Sequence, residues 1–140
     1  MWQNSEYAMK LEELEKRLVD IQDRNKISIS WLKRQGISSD AVGNIREGRG
    51  YRLTSLFRYI ELLGYFLVVD NCIVEDVRKF GETLQSKREK MGLSLIELSR
   101  RSCYTLQQLK AVELGNGYYR SSLIAYLSVV NVDFDIMSAI

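Results

Sequence analysis

Arginine and lysine are the residues of this chain whose number and spacing could do chemistry, and that chemistry is ionic. From Arg24 to Ile60 there are eight basic residues (Arg24, Lys26, Lys33, Arg34, Arg46, Arg49, Arg52 and Arg58) against two acidic ones, Asp40 and Glu47. From Arg78 to Arg120, nine basic residues face four acidic ones. The residues before Arg24 lean the other way, with six carboxylates and three cations. The formal net charge of +2 conceals this division. Concentrated positive charge attracts polyanions more strongly than the overall sum implies, although a solvated helix surface is the plainer reading of the same residues.

Other chemistries lack their residues. The chain has no histidine, which removes the usual zinc sites, histidine general bases and histidine pH switches. Cys72 and Cys103 stand alone, with no CxxC spacing, so a disulfide scaffold is not expected and a reducing cytoplasm fits. No nucleophile–base pair, metal set or phosphate loop stands out. The expectation is a non-enzyme with no cofactor and no metal. The first residues, MWQNSEYAMK, hold no hydrophobic signal segment, and no apolar run is long enough to span a bilayer. A cytoplasmic protein with no membrane partner is expected.

The elements that must position the cations are mainly helical. An apolar fraction of 46% supports a buried core, and the absence of proline favours long or closely spaced helices. Ser5 to Asn25 reads as a helix, with Tyr7, Leu11, Leu14, Leu18 and Ile21 in 4-3-4-3 spacing. That seam either packs on its own domain or, in its early part, meets a partner chain. Further helices are expected over Ile29–Gln35, Ser39–Glu47 and Leu53–Leu63, and again over Phe80–Met91, Leu95–Arg101, Thr105–Gly115 and from Ser121 or Ser122 to Val130. Tyr65–Val69 and the alternating Val132, Phe134 and Ile136 read as short strands. A lone strand leaves its backbone groups unpaired, so these two must pair with each other or across a dimer. Trp31, Phe57, Tyr59, Tyr126 and Phe134 sit at core-compatible spacings.

The helices fall into two copies. Ile27-Ser28 matches Leu93-Ser94 at an offset of 66. Beyond the next turn the offset is 67, pairing Val42 with Leu109, Ile45 with Val112, Gly48 with Gly115, Leu56 with Leu123 and Tyr59 with Tyr126. Matched positions are mostly apolar or glycine, as in two copies of one fold. The reading is two domains, 1–70 and 71–140, with Asp70 to Val77 as a linker too poor in glycine and serine to be a loose tether.

The second copy resembles the lambda-repressor-like, or XRE, helix-turn-helix family. The residues that carry this are Phe80-Gly81, Leu84, Arg88, Gly92-Leu93-Ser94, Glu97-Leu98-Ser99, Leu109, Val112-Glu113, Gly115 and Leu123. The first copy resembles it more loosely, through Ile27-Ser28, Leu32, Gly36-Ile37-Ser38, Val42, Ile45, Gly48, Leu56 and Leu63-Gly64. The resemblance implies an all-α fold in the main, with two helix-turn-helix domains in tandem, each ending in a short strand. In such a fold the second of two short helices lies in the major groove of double-stranded DNA. The turn wants a residue tolerant of positive φ. Gly36 supplies it in the first copy and Cys103 replaces it in the second.

Carried over by position, the groove-facing residues are Ser38, Ser39, Asp40, Gly43 and Asn44 in the first copy. In the second they are Thr105, Leu106, Gln107, Gln108, Lys110 and Ala111. Asn and Gln can read adenine through paired hydrogen bonds. Arg46, Arg49 and Arg52, beside Gly48 and Gly50, stand where phosphates would lie, as do Lys33, Arg34, Arg100, Arg101 and Arg120. Tyr118 and Tyr119 are candidates to meet the DNA backbone. Two departures matter. The family's pairing of a first-helix arginine with a third-helix glutamate is present as Arg88 and Glu113, but Gln22 and Arg46 replace it in the first copy, which would release Arg46 for phosphate. The glutamine that often opens the family's second helix is here Ile29 or Leu95. The implied function is a sequence-specific transcriptional regulator. The alternatives are an antitoxin whose strand pairs across a dimer and whose partner is a toxin, or a protein-interaction module that has lost DNA.

Overall fold

Helix α1 spans Leu11–Arg24 and turns Leu11, Leu14, Leu18 and Ile21 into the core. The computed structural model describes residues 9–139, so Tyr7 lies outside the described residues. Within the described residues the helix begins at Leu11. Met9 is extended and exchanges two backbone hydrogen bonds with Phe134 (3.0 and 2.9 Å). The Lys10 backbone N–H then donates to the Glu13 side chain at 2.9 Å and opens the helix. Leu11 and Leu14 are buried within this chain, so that part of the seam is already covered.

Three helices follow: α2 (Ile29–Arg34), α3 (Ser39–Glu47) and α4 (Leu53–Leu62). Ser28 and Ser38 cap the first two, accepting from the backbone N–H of Trp31 and Ala41. Strands β1 (Tyr65–Val69) and β2 (Cys72–Val74) form a hairpin whose turn residues, Asp70 and Asn71, both take positive φ (47° and 71°). Two such residues give the primed turn that matches the twist of paired strands. The expected linker is therefore a strand, and the boundary between residues 70 and 71 falls in the hairpin turn. Then come α5 (Val77–Lys90), α6 (Leu95–Ser102), α7 (Leu106–Leu114), α8 (Arg120–Leu127) and β3 (Phe134–Ser138). The protein is mainly helical with one small sheet, ordered β2-β1-β3 and antiparallel throughout.

The copies align element by element. Shifting α1 by 66 residues gives α5, and shifting α3 by 67 gives α7, to the residue. The junction between the copies brings equivalent residues together. Strand β1 meets β3 with Val68 opposite Asp135, its counterpart at 67. Arg52 bridges Tyr119, again its counterpart, and the hydrogen bonds are reciprocal: Leu53 N–H donates to Tyr118 (3.0 Å) and Arg120 N–H to Tyr51 (2.9 Å). Each of the two expected strands thus finds its partner within the chain. Buried side chains from both copies form one continuous core. Phe57, Phe80 and Phe134 join it as tilted ring pairs with centroids 5.9 and 6.0 Å apart. Trp31 does not join it. At 36% exposure it lies on the surface of α2.

Helix α5 approaches α7 closely because Gly81 has no side chain. A Cβ there would collide with the backbone carbonyl of Glu113. The matching residue of α1 is Glu15, so the first copy cannot pack this way. Gly43, inside α3, has open space around it. Gly81→Ala is expected to destabilise the protein by about 1–3 kcal/mol through overpacking. Gly43→Ala should stabilise it by about 0.5–1 kcal/mol, because glycine costs that much inside a helix. Urea denaturation of both variants checks the pair.

Candidate nucleic-acid interface

Helices α2 and α3 are separated by a short turn in which Gly36 has a φ of 101°. Helices α6 and α7 are separated by an equivalent turn in which Cys103 takes a φ of 62°, left-handed as expected of that position. Glycine reaches this conformation without strain and cysteine does not. In both copies a short helix leads through a left-handed turn into a nine-residue helix, α3 or α7, with its first turn exposed.

The twelve residues singled out as DNA contacts divide by what they already hold. Ser39, Asp40 and Gln107 are exposed on the first turns of α3 and α7, and Lys110 on the second turn of α7. Ser38 and Thr105 are N-caps, and their oxygens accept from Ala41 N–H (3.1 Å) and Gln108 N–H (3.2 Å). The Gln108 side chain turns back onto Thr105, accepting from its hydroxyl at 2.9 Å and its N–H at 3.3 Å. That capping box occupies the amide oxygen a base would need. Asn44 is half-buried and donates from its side-chain amide to the Gly50 carbonyl at 3.2 Å, so it shapes the loop after α3. Arg49 is exposed, in a 3.3 Å pair with equally exposed Glu47. Such surface pairs are worth little and exchange readily. Arg52 is exposed and lies over the Tyr119 ring, 4.8 Å from its centroid.

Arg46 and Arg120, both expected at phosphates, hold carboxylates within the chain. Arg46 donates to the Gln22 side chain (3.0 Å) and to both Asp23 carboxylate oxygens (3.0 and 3.3 Å). The hydrogen bond to Asp23 raises its already high pKa. Asp23, next in sequence to Gln22, supplies the carboxylate that Arg46 pairs with. Both copies build the same network with the charges exchanged. In the second, Arg88 holds Glu113 at 2.5 and 3.1 Å, Tyr126 also donates to Glu113, and Arg88 donates to the Leu93 carbonyl at 2.7 Å. In the first, Tyr59 donates to Gln22 at 2.6 Å and Gln22 donates to the Ile27 carbonyl at 2.9 Å. Burial pushes the Tyr59 hydroxyl up to about 12.

Arg120 is likewise engaged within the chain. Its guanidinium holds Glu15, in the other copy, at 2.6 and 3.0 Å, and Tyr51 donates to the same carboxylate at 2.5 Å. The Glu15 side chain is only 5% exposed and that of Arg120 17%. Hydrogen bonding to Glu15 raises the Arg120 pKa further, and burial raises that of Tyr51. The cluster is a clamp between copies.

The surrounding candidates also sort by environment. Arg100 and Arg101 pair with Glu97 at 2.7 and 3.2 Å, while Lys33 and Arg34 are exposed at the end of α2. Tyr118 is buried, with its hydroxyl lacking a partner, so the expected backbone contact falls to the exposed Tyr119 alone. Large apolar side chains share this surface: Ile29 is 42% exposed, Ile96 63% and Leu106 43%. No helix among the described residues is long and apolar enough to cross a membrane.

No family model, curated protein or solved structure matches this chain. The assignment of the surface therefore stands on its residues and geometry.

Breaking a buried ion pair from one side leaves an uncompensated charge. Arg120→Met is expected to destabilise the protein by about 3–5 kcal/mol, with much of that loss recovered when Glu15→Met is added. Arg46→Met should cost less, because the Asp23 side chain is 58% exposed and rehydrates when the partner goes. Denaturant midpoints of the four proteins would show whether the ranking holds.

Proposed function

We propose that this protein binds double-stranded DNA without catalysis, as a transcriptional regulator built from two helix-turn-helix domains in tandem, 1–70 and 71–140. The observation that carries the reading is the repeated arrangement of short helix, left-handed turn at Gly36 or Cys103, and exposed second helix. That geometry lets the second helix enter the major groove while the first crosses the phosphate backbone. Asp40, Ser39, Gln107 and Lys110 are the groove-facing residues this assigns, with Gln107 able to pair with adenine through its amide. Arg49, Arg52, Lys33 and Arg34 are exposed, and in this reading they meet phosphates.

A protein-docking module is the second reading. The exposed Ile29, Trp31, Ile96 and Leu106 favour it, since apolar side chains at the start of these helices are poor partners for phosphate. The antitoxin reading loses its motivating observation, because β1 pairs with β3 of the same chain and has β2 on its other edge.

Binding to random-sequence duplex, measured by fluorescence anisotropy across a salt series, separates the readings. DNA binding predicts affinity that falls steeply with salt. Arg49→Ala should lower the salt slope by about 1, the loss of one phosphate contact. Arg46→Gln should leave the slope unchanged, because Arg46 is engaged with Asp23. No salt-sensitive binding at all would leave the docking module as the answer.

A further inference from the structure

The copies do more than repeat: they face each other about a local two-fold axis. A two-fold operation pairs each residue at the axis with its own counterpart, and two separate contacts obey that rule. Arg52 meets Tyr119, with the reciprocal bonds from Leu53 to Tyr118 and from Arg120 to Tyr51. Val68 meets Asp135 within the β1–β3 ladder. The segments before α1 and α5 also each pair with a strand of the sheet, Met9 with Phe134 and Val74 with Leu67, but one residue out of strict two-fold register, since Met9 shifted by 66 gives Glu75. Such reciprocity is the signature of an isologous dimer interface, here closed within one chain.

The axis runs through the Arg52–Tyr119 bridge, which follows both exposed helices closely in sequence. Arg52 lies five residues beyond the end of α3 at Glu47, and Tyr119 lies five beyond the end of α7 at Leu114. Five residues span at most about 18 Å, and paired strands lie about 5 Å apart. The C-terminal ends of α3 and α7 therefore flank the axis, within about 40 Å of each other even at full extension. Half-sites on one face of the duplex recur every ~34–36 Å.

We propose that one chain occupies one inverted-repeat DNA site, its internal two-fold serving where other proteins use a dimer, and that the two half-sites differ in sequence. This rests on the DNA-binding reading above. Inversion follows because a two-fold reverses the polarity of the second unit, and duplex DNA has matching two-folds perpendicular to its axis. The inequality follows from the matched surface positions: Asp40 corresponds to Gln107, Gly43 to Lys110, Ser39 to Leu106 and Asn44 to Ala111. A carboxylate and an amide at the same place cannot favour the same base edge. The spacing is fixed by the Glu15–Arg120 clamp and the common core, so the site should have one allowed separation.

The test is selection from duplexes with a random core of about 30 base pairs, followed by sedimentation of the selected complex. The expected product is two unlike half-sites in inverted orientation, about one helical turn apart, with one chain bound per duplex. Asp40→Asn should alter preference in one half-site only, and Gln107→Ala in the other only. Inserting half a turn between them should weaken binding about 10-fold or more. Salt-sensitive binding that selects a direct repeat, a single half-site or two chains per duplex would overturn the inference while leaving DNA binding intact. Absence of any salt-sensitive binding would overturn both.

Discussion

The rest of the molecule depends on the pairing of each copy with its own counterpart. Strand β1 after α4 has a full row of backbone donors and acceptors, and so has β3 after α8. Neither can remain unpaired without cost. Pairing Val68 with Asp135 satisfies both strands and places the two four-helix units on opposite sides of one axis. The Arg52–Tyr119 bridge repeats that arrangement beside α3 and α7. Two contacts related by the same operation leave little freedom for the units to rotate. The hairpin turn at Asp70 and Asn71 then lets the chain cross from one unit to the other without a long linker.

Symmetry in the backbone is joined to asymmetry in the side chains. Arg88–Glu113 is nearly dry, with side-chain exposures of 9% and 4%, whereas Arg46 and Asp23 stand at 28% and 58%. Each network holds the first helix of its unit to the third, and each uses a tyrosine from the fourth. Gly81 lets α5 and α7 touch, while Glu15 at the same place in α1 reaches out to Arg120 instead. One substitution therefore sets both the looser packing inside the first unit and the clamp to the second. The charge that sequence alone would assign to DNA is divided accordingly, part holding the fold and part remaining on the surface.

Local features were legible in the sequence. The ends of α3 and α7 follow from Ser38, Thr105, Gly48 and Gly115, and the left-handed turns from Gly36 and its match to Cys103. The repeat with its change of offset is visible as matched apolar positions. What escaped notice depends on distant partners. Arg120 and Glu15 are 105 residues apart, and nothing in either segment marks the other. Tyr118 reads as a loop residue until the junction buries it. Asp23 was a closer signal: a carboxylate beside Gln22 restores the missing partner of Arg46. Strand β2 had one too, since Asp70-Asn71 between apolar residues is a hairpin turn. Met9 pairs with Phe134 rather than lying in α1, which no periodicity within α1 reveals.

The functional account comes down to whether α3 and α7 engage one duplex together. Backbone amide resonances of the labelled protein, followed as an unlabelled duplex of about 30 base pairs is added at low salt, report on this directly. The account predicts that amides of residues 38–44 and 105–111 shift together and saturate at one chain per duplex, while those of β1 and β3 stay in place. Shifts confined to one of the two helices, or to neither, would contradict it.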